Sequence, residues 1–295
     1  MNALWKSIII PHLLASLFFV QSIAVTDLHY KYSLAKEGGE KVKILLVPGH
    51  EPSYGGTEFK GAKERDMAVD LAAKLSELLK NDDHFSVLVA RDKTSWIPDL
   101  QTFFDTHETD IAEFTQSKKI EMASLMAAGK VQAVTDGVVH NSVSKEVWTH
   151  LFGVNKWAND NQIDIVLHIH FNDNPRKIVS KAGAYKGFAI YVPEAQYSNA
   201  TTTHAVAERL FSRLGTNFPV STMPKEAGGI VEDQDLIAIG NANTVDGVSM
   251  LVEYGYIYEN RFSTAAKRTA TIDSLAQQTY LGIEDFFAEK QAENQ

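Results

Sequence analysis

Compact apolar runs that stop abruptly at turn residues constrain this chain more than any other feature. KILLV at 43–47 ends on Pro48-Gly49 and reads as a buried strand. Runs of the same kind lie at 85–90, 163–168, 187–192, 236–239 and 248–252. Helical spacing fills the gaps between them. Over 62–80 the apolar positions are Met67, Leu71, Leu75, Leu78 and Leu79, and Asn81-Asp82-Asp83 ends the pattern. Over 147–161 Trp148, Leu151, Phe152 and Trp157 turn inward, and over 203–214 Ala207, Leu210, Phe211 and Leu214 do so. A long helix over 261–290 closes the chain, with a bend expected at Gly282. Strands alternating with helices predict a single α/β domain, a twisted and mostly parallel sheet with helices on both faces. A chain of 295 residues suits one such domain. A crossover needs only about a dozen residues. Residues 94–146 are therefore an insertion between the second and third strands, inside a domain expected over 41–290.

Composition narrows the chemistry. Lys and Arg number 28 against 37 Asp and Glu, a formal net charge of -9, which speaks against nucleic acid as a partner. Cysteine is absent, so disulfides and thiolate chemistry are excluded, and any metal must be held by His, Asp or Glu. At the N-terminus Lys6 precedes an apolar stretch over 8–20, interrupted by Pro11, His12 and Ser16 and followed by Ser22-Ile23-Ala24. That stretch is short for a span of about 20 residues. Residues 1–24 read as a secretory signal peptide, with an uncleaved membrane anchor as the alternative, and 25–40 as a polar lead-in. Either reading places the domain outside the cytoplasm.

Three pieces carry reactive groups. Pro48-Gly49-His50 follows the first strand, Glu64 stands in the first turn of the next helix, and His168-Ile169-His170-Phe171-Asn172 ends the third strand. Open α/β sheets form their sites outside the carboxyl ends of the strands, where these pieces converge. Two imidazoles and a carboxylate are a common catalytic zinc set, leaving a position for water. Glu253 ends the strand in LVEYGY and is placed to take a proton; a carboxylate there is costly unless used or paired. His168 and His170 share a face of one strand, so spacing alone leaves either as a ligand.

The stretch ILLVPGHEPSYGGTEFKGAKERDMAVDLA resembles the opening of the zinc-dependent N-acetylmuramoyl-L-alanine amidases with the type 3 catalytic domain. LVARD, HIHFND and LVEYGYIYEN look like later segments of that family, in the same order, from about residue 41 to 287. The resemblance implies zinc (Zn2+) on His50, Glu64 and His170, with Glu253 as the catalytic carboxylate. It implies hydrolysis of the amide between N-acetylmuramic acid and L-alanine, peptidoglycan as the partner, and a monomer. A zinc peptidase acting on another cell-wall amide and an inactive peptidoglycan-binding module are the rival readings. The chain departs from the family pattern at three places: Val47 replaces an acidic residue, Glu51 a glycine and His168 a serine. Only residues 173–186 separate HIHFND from the next strand, so no inhibitory helix is expected there. Among the remaining polar residues, Glu51 is expected to face solvent and Arg91-Asp92 to form an ion pair. Asn172 is expected to pin its loop, and His140, His150 and His204 to be surface or packing residues. Trp96, Trp148 and Trp157 are expected in the core. The 94–146 region is expected to shape access to the site rather than build it.

Overall fold

The computed structural model describes residues 24–135, 137–138, 142–176 and 178–293. The signal-segment reading, apart from Ala24, and His140 lie outside them. The elements in chain order are α1 (Val25–Lys36), β1 (Val42–Pro48), β2 (Glu58–Phe59), β3 (Ala62–Lys63), α2 (Glu64–Lys80), β4 (Phe85–Val89), α3 (Pro98–Thr106), α4 (Glu108–Ala127), α5 (Lys145–Asp160), β5 (Ile165–Asn172), β6 (Ala189–Pro193), α6 (Ala200–Asn217), β7 (Ile230–Asp233), β8 (Val248–Tyr256) and α7 (Ala265–Glu293). Six strands form one sheet in the order β4-β1-β5-β8-β6-β7, and β2 and β3 form a separate two-stranded ribbon. Strands β4, β1, β5 and β8 are parallel, β6 runs antiparallel to β8, and β7 runs parallel to β6. The expected α/β architecture, mostly parallel and covered on both faces, is the one observed.

The apolar runs are explained by burial on both sides. In β1, Val42, Ile44 and Leu46 enter one core with Leu71 and Leu75 of α2, Leu210 of α6 and Leu275 of α7. Leu45 and Val47 enter the opposite core with Leu100 and Phe104 of α3 and Phe152 and Trp157 of α5. Strands sandwiched this way have no polar face, hence no alternation. The α2 stripe of Met67, Leu71, Leu75 and Leu79 is almost fully buried. Each such side chain contributes about 1.5–3 kcal/mol of transfer free energy, and Leu71→Ala would cost about 2–5 kcal/mol. No helix among the described residues is long and apolar enough to cross a membrane.

Two expectations need correction. Residues 236–239 are not a strand. The strand is β7, and the Asp233 side chain ends it by accepting from the backbone N–H groups of Asp235 and Leu236 at 2.8 Å each, so Ile237–Ile239 forms a 3₁₀ turn. The polar lead-in is largely the helix α1. Its Leu28 is fully buried, Tyr32 stacks on Phe287 of α7, and Lys31 Nζ meets Asp164 Oδ2 at 2.7 Å just before β5. The closing helix α7, Ala265–Glu293, includes Gly282. The glycine serves close approach to α6, since a Cβ there would lie 2.8 Å from the Leu210 Cα.

Candidate metal centre

The three central parallel strands deliver the reactive groups to one edge. β1 ends at Pro48, and the Gly49 N–H extends the β1–β5 pairing by donating to the Ile169 carbonyl at 2.8 Å. His50 then adopts a left-handed conformation, φ 68°, which only an imposed turn holds in a residue with a side chain. Gly49 is required for a different reason. The His170 imidazole occupies the space where a Cβ would lie, with ring atoms 2.3–2.6 Å from that position. Buried Arg91 locks the turn. It is not ion-paired to Asp92 as expected; its guanidinium donates to the backbone carbonyls of Pro48, Gly49, Arg65 and Asp92.

Glu64 opens α2 and is buried. Its Oε2 accepts from the Thr57 N–H at 2.9 Å and its Oε1 from the Phe171 N–H at 3.2 Å. Oε1 also lies 2.7 Å from His50 Nε2 and 3.1 Å from His170 Nδ1. The two imidazoles stand 4.9 Å apart at 69°. One ligand atom from each of His50, Glu64 and His170 can be chosen so that all lie within 4.8 Å of one another. Burial pushes the Glu64 carboxyl up, but the nearby His50 and His170 imidazoles outweigh it and hold the group well below the usual range. Burial lowers His170, with the Glu64 hydrogen bond opposing it.

Whether these residues fit a metal is decided by His50. Its Nε2 is buried and close to Glu64, yet makes no aligned hydrogen bond. A nitrogen and a carboxylate oxygen that crowd together without bonding fit lone pairs aimed at a common point. Two imidazoles, one carboxylate and no thiolate are the donor set of a hydrolytic zinc site. Glu253 stands beside His170 in the β5–β8 register. Its Oε2 is buried without a partner, and desolvation, then the charges of Glu64 and Glu226, push its carboxyl well above the ordinary range. A carboxyl raised in this way holds a proton more readily than an exposed one.

Several neighbours differ from expectation. Glu51 is buried rather than solvent-facing: its Oε2 accepts from the Trp96 indole N–H at 3.0 Å and its Oε1 lies 2.9 Å from His150 Nδ1. His150 is therefore a member of the site wall. His168 is buried on the same strand face as His170 and falls outside the ligand cluster. Asn172 pins its surroundings as expected, accepting from the Ile257 N–H and donating to Glu226. His204 is at the surface beside Glu208, and Trp96 and Trp157 are core. Trp148 packs tilted against Phe152. The 94–146 region supplies Trp96, Ser142 and Val143 to the cavity beside the site and none of the three clustered ligands. Thr57 and Glu226 escaped sequence reasoning. Glu226 is fully enclosed and accepts from the hydroxyls of Tyr191, Ser221 and Tyr256 as well as from Asn172.

Comparison with known proteins agrees with this fold. The CwlD amidase from Clostridioides difficile, solved in complex with the GerS lipoprotein, is 13% identical with TM-score 0.55, covering 84% of this chain and 99% of its own. The N-acetylmuramyl-L-alanine amidase Ami1 from Mycobacterium abscessus is 15% identical with TM-score 0.53, covering 83% and 98%. An N-acetylmuramoyl-L-alanine amidase from Clostridium difficile 630 is 17% identical with TM-score 0.52, covering 85% and 98%. At these identities the likeness is one of fold. Curated protein sequences give no match. The sequence profile described as N-acetylmuramoyl-L-alanine amidase matches residues 44–285, which span β1 to α7, and the chain belongs to this family of enzymes.

Proposed function

We propose that this protein is a zinc-dependent hydrolase of the amide bond between the lactyl group of N-acetylmuramic acid and L-alanine in peptidoglycan. We place its action outside the cytoplasm, where that polymer lies. The observation that carries the reading is the convergence of His50, Glu64 and His170 at one sheet edge, with the unpartnered Glu253 oxygen beside them. Zinc held by those three residues supplies Lewis acidity, polarising a carbonyl and making water acidic near pH 7. Glu253 accepts the proton of the attacking water and returns it to the departing alanine nitrogen. Its raised affinity for a proton suits both steps. Thr57 and Phe171 fix Glu64 through their backbone N–H groups, so the carboxylate keeps one rotamer.

Digestion of purified peptidoglycan with and without chelator, followed by mass analysis, tests the reading. The expected products carry a new α-amino group on alanine and no new reducing ends, and chelator abolishes them. A new amine on another stem residue, or new reducing ends, would overturn it. Glu253→Gln should keep one zinc per chain and lose about 10²–10⁴-fold in rate.

A further inference from the structure

A cavity of about 360 Å³ opens beside His50 and His170 and runs between α5 and the carboxyl ends of β1, β5 and β8. Its wall is mainly aliphatic, with Val47, Val147, Leu151, Val154 and Leu251 among the lining residues. Among the described residues neither Lys nor Arg lines it, while two carboxylates, Glu51 and Asp235, do. The one buried polar atom without a partner among the wall's described residues, outside the ligand cluster, is His168 Nε2. His168 is 1% exposed, and the Ala238 carbonyl hydrogen-bonds its ring. The three positions at which the chain departs from the pattern it resembles, Val47, Glu51 and His168, all face this single space.

We propose that the cavity is a specificity subsite for an uncharged, carboxamide-bearing part of the stem peptide, with His168 Nε2 as its hydrogen-bond partner. The inference rests on the amidase reading above and names what that site selects. The volume lies within the range of small-ligand sites. A glycan strand continues in both directions from the scissile bond, and a cavity of about 360 Å³ has no room for such a strand. Only the peptide branch can enter as a free end. The charge of the wall then decides which branch. Away from the proposed metal, a carboxylate entering would meet the carboxylates of Glu51 and Asp235 and no Lys or Arg among the described residues, and a buried charge without a partner is strongly disfavoured. The Ala238 carbonyl accepts from the ring's Nδ1–H, so Nε2 is left as an acceptor, which a carboxamide N–H satisfies and a carboxylate cannot. Sites built around a buried polar atom reject analogues that leave it unpaired. Glu51 cannot swing away to make room for an anion, because Trp96 and His150 hold its two oxygens.

The test uses the zinc-loaded full chain and two uncrosslinked polymeric peptidoglycans. They differ only in a carboxamide or a carboxylate on the residue that follows L-alanine. The expected result is a kcat/KM at least about tenfold higher for the carboxamide polymer. In His168→Ser that preference should shrink below about threefold, chiefly through KM, with zinc content unchanged. Should the buried substitution prevent folding, Asp235→Lys at the exposed rim supplies the missing cation and should narrow the preference by raising turnover of the carboxylate polymer. Equal kcat/KM for the two polymers with wild-type protein overturns the inference alone. An unchanged preference in the folded variants overturns the assignment to His168 and the cavity. Cleavage of neither polymer at the muramoyl-alanine bond overturns the amidase reading, and the inference with it.

Discussion

At the scale of single residues, the candidate site is held against its own stability. Glu253 has a folded-state proton affinity raised above its ordinary value of 4.5. The folded protein therefore binds that proton more tightly than the unfolded chain does. The contribution to stability is fully present below about pH 4.5 and is lost as pH rises through the higher folded value. Metal-free Glu253→Gln should accordingly melt at a higher temperature than metal-free wild type near neutral pH, with the gap closing toward about pH 4. Thermal melts after chelation across that range check this, and identical melting temperatures at neutral pH would refute it. That His50, Glu64, His170 and Glu253 meet at one sheet edge was legible because each ends or follows a recognisable strand or begins a helix. Glu51 was not. Its burial comes from Trp96, 45 residues away, and His150, 99 residues away, and no local pattern carries such contacts.

At the scale of elements, the turn after β1 and the start of α2 are one mechanical unit, because Arg91 from beyond β4 bonds carbonyls in both. Arg91→Leu would leave at least three carbonyls without their donor. At about 1–3 kcal/mol for each unsatisfied buried group, the loss should be on the order of 3 kcal/mol or more. The same change frees His50 from its left-handed turn, so zinc affinity should fall even though no ligand is altered. Denaturant unfolding and zinc titration read the two effects, and wild-type zinc affinity in a destabilised variant would separate Arg91 from the site. Sequence reading recovered β1, α2 and β8 because their burial is periodic or continuous. It missed β7 because an aspartate cap, rather than hydrophobicity, fixes where that strand stops. It missed α1 although Val25, Leu28, Tyr32 and Ala35 are spaced as a helical stripe; the polar residues between them obscured it.

At the scale of the whole molecule, residues 94–146 do more than border the entrance. Leu100, Phe104 and Ile111 are almost fully buried and complete the core on the α5 face of the sheet. Replacing the whole region with a short loop should therefore lower the melting temperature sharply, whatever it does to substrate access. An unchanged melting temperature would show that this face packs without α3 and α4. The long detour between β4 and β5 also sets a clock. Lys43 and Asp164 meet across 121 residues of chain, and Glu64 and His170 across 106. The ligand cluster does not exist until β5 has docked beside β1, a late and entropically slow event for contacts so distant in sequence. A metal bound as proposed can then reward only the finished fold. It should leave the refolding rate nearly untouched and lengthen the lifetime of the native state, so that a chelator acts on this protein by hastening its unfolding.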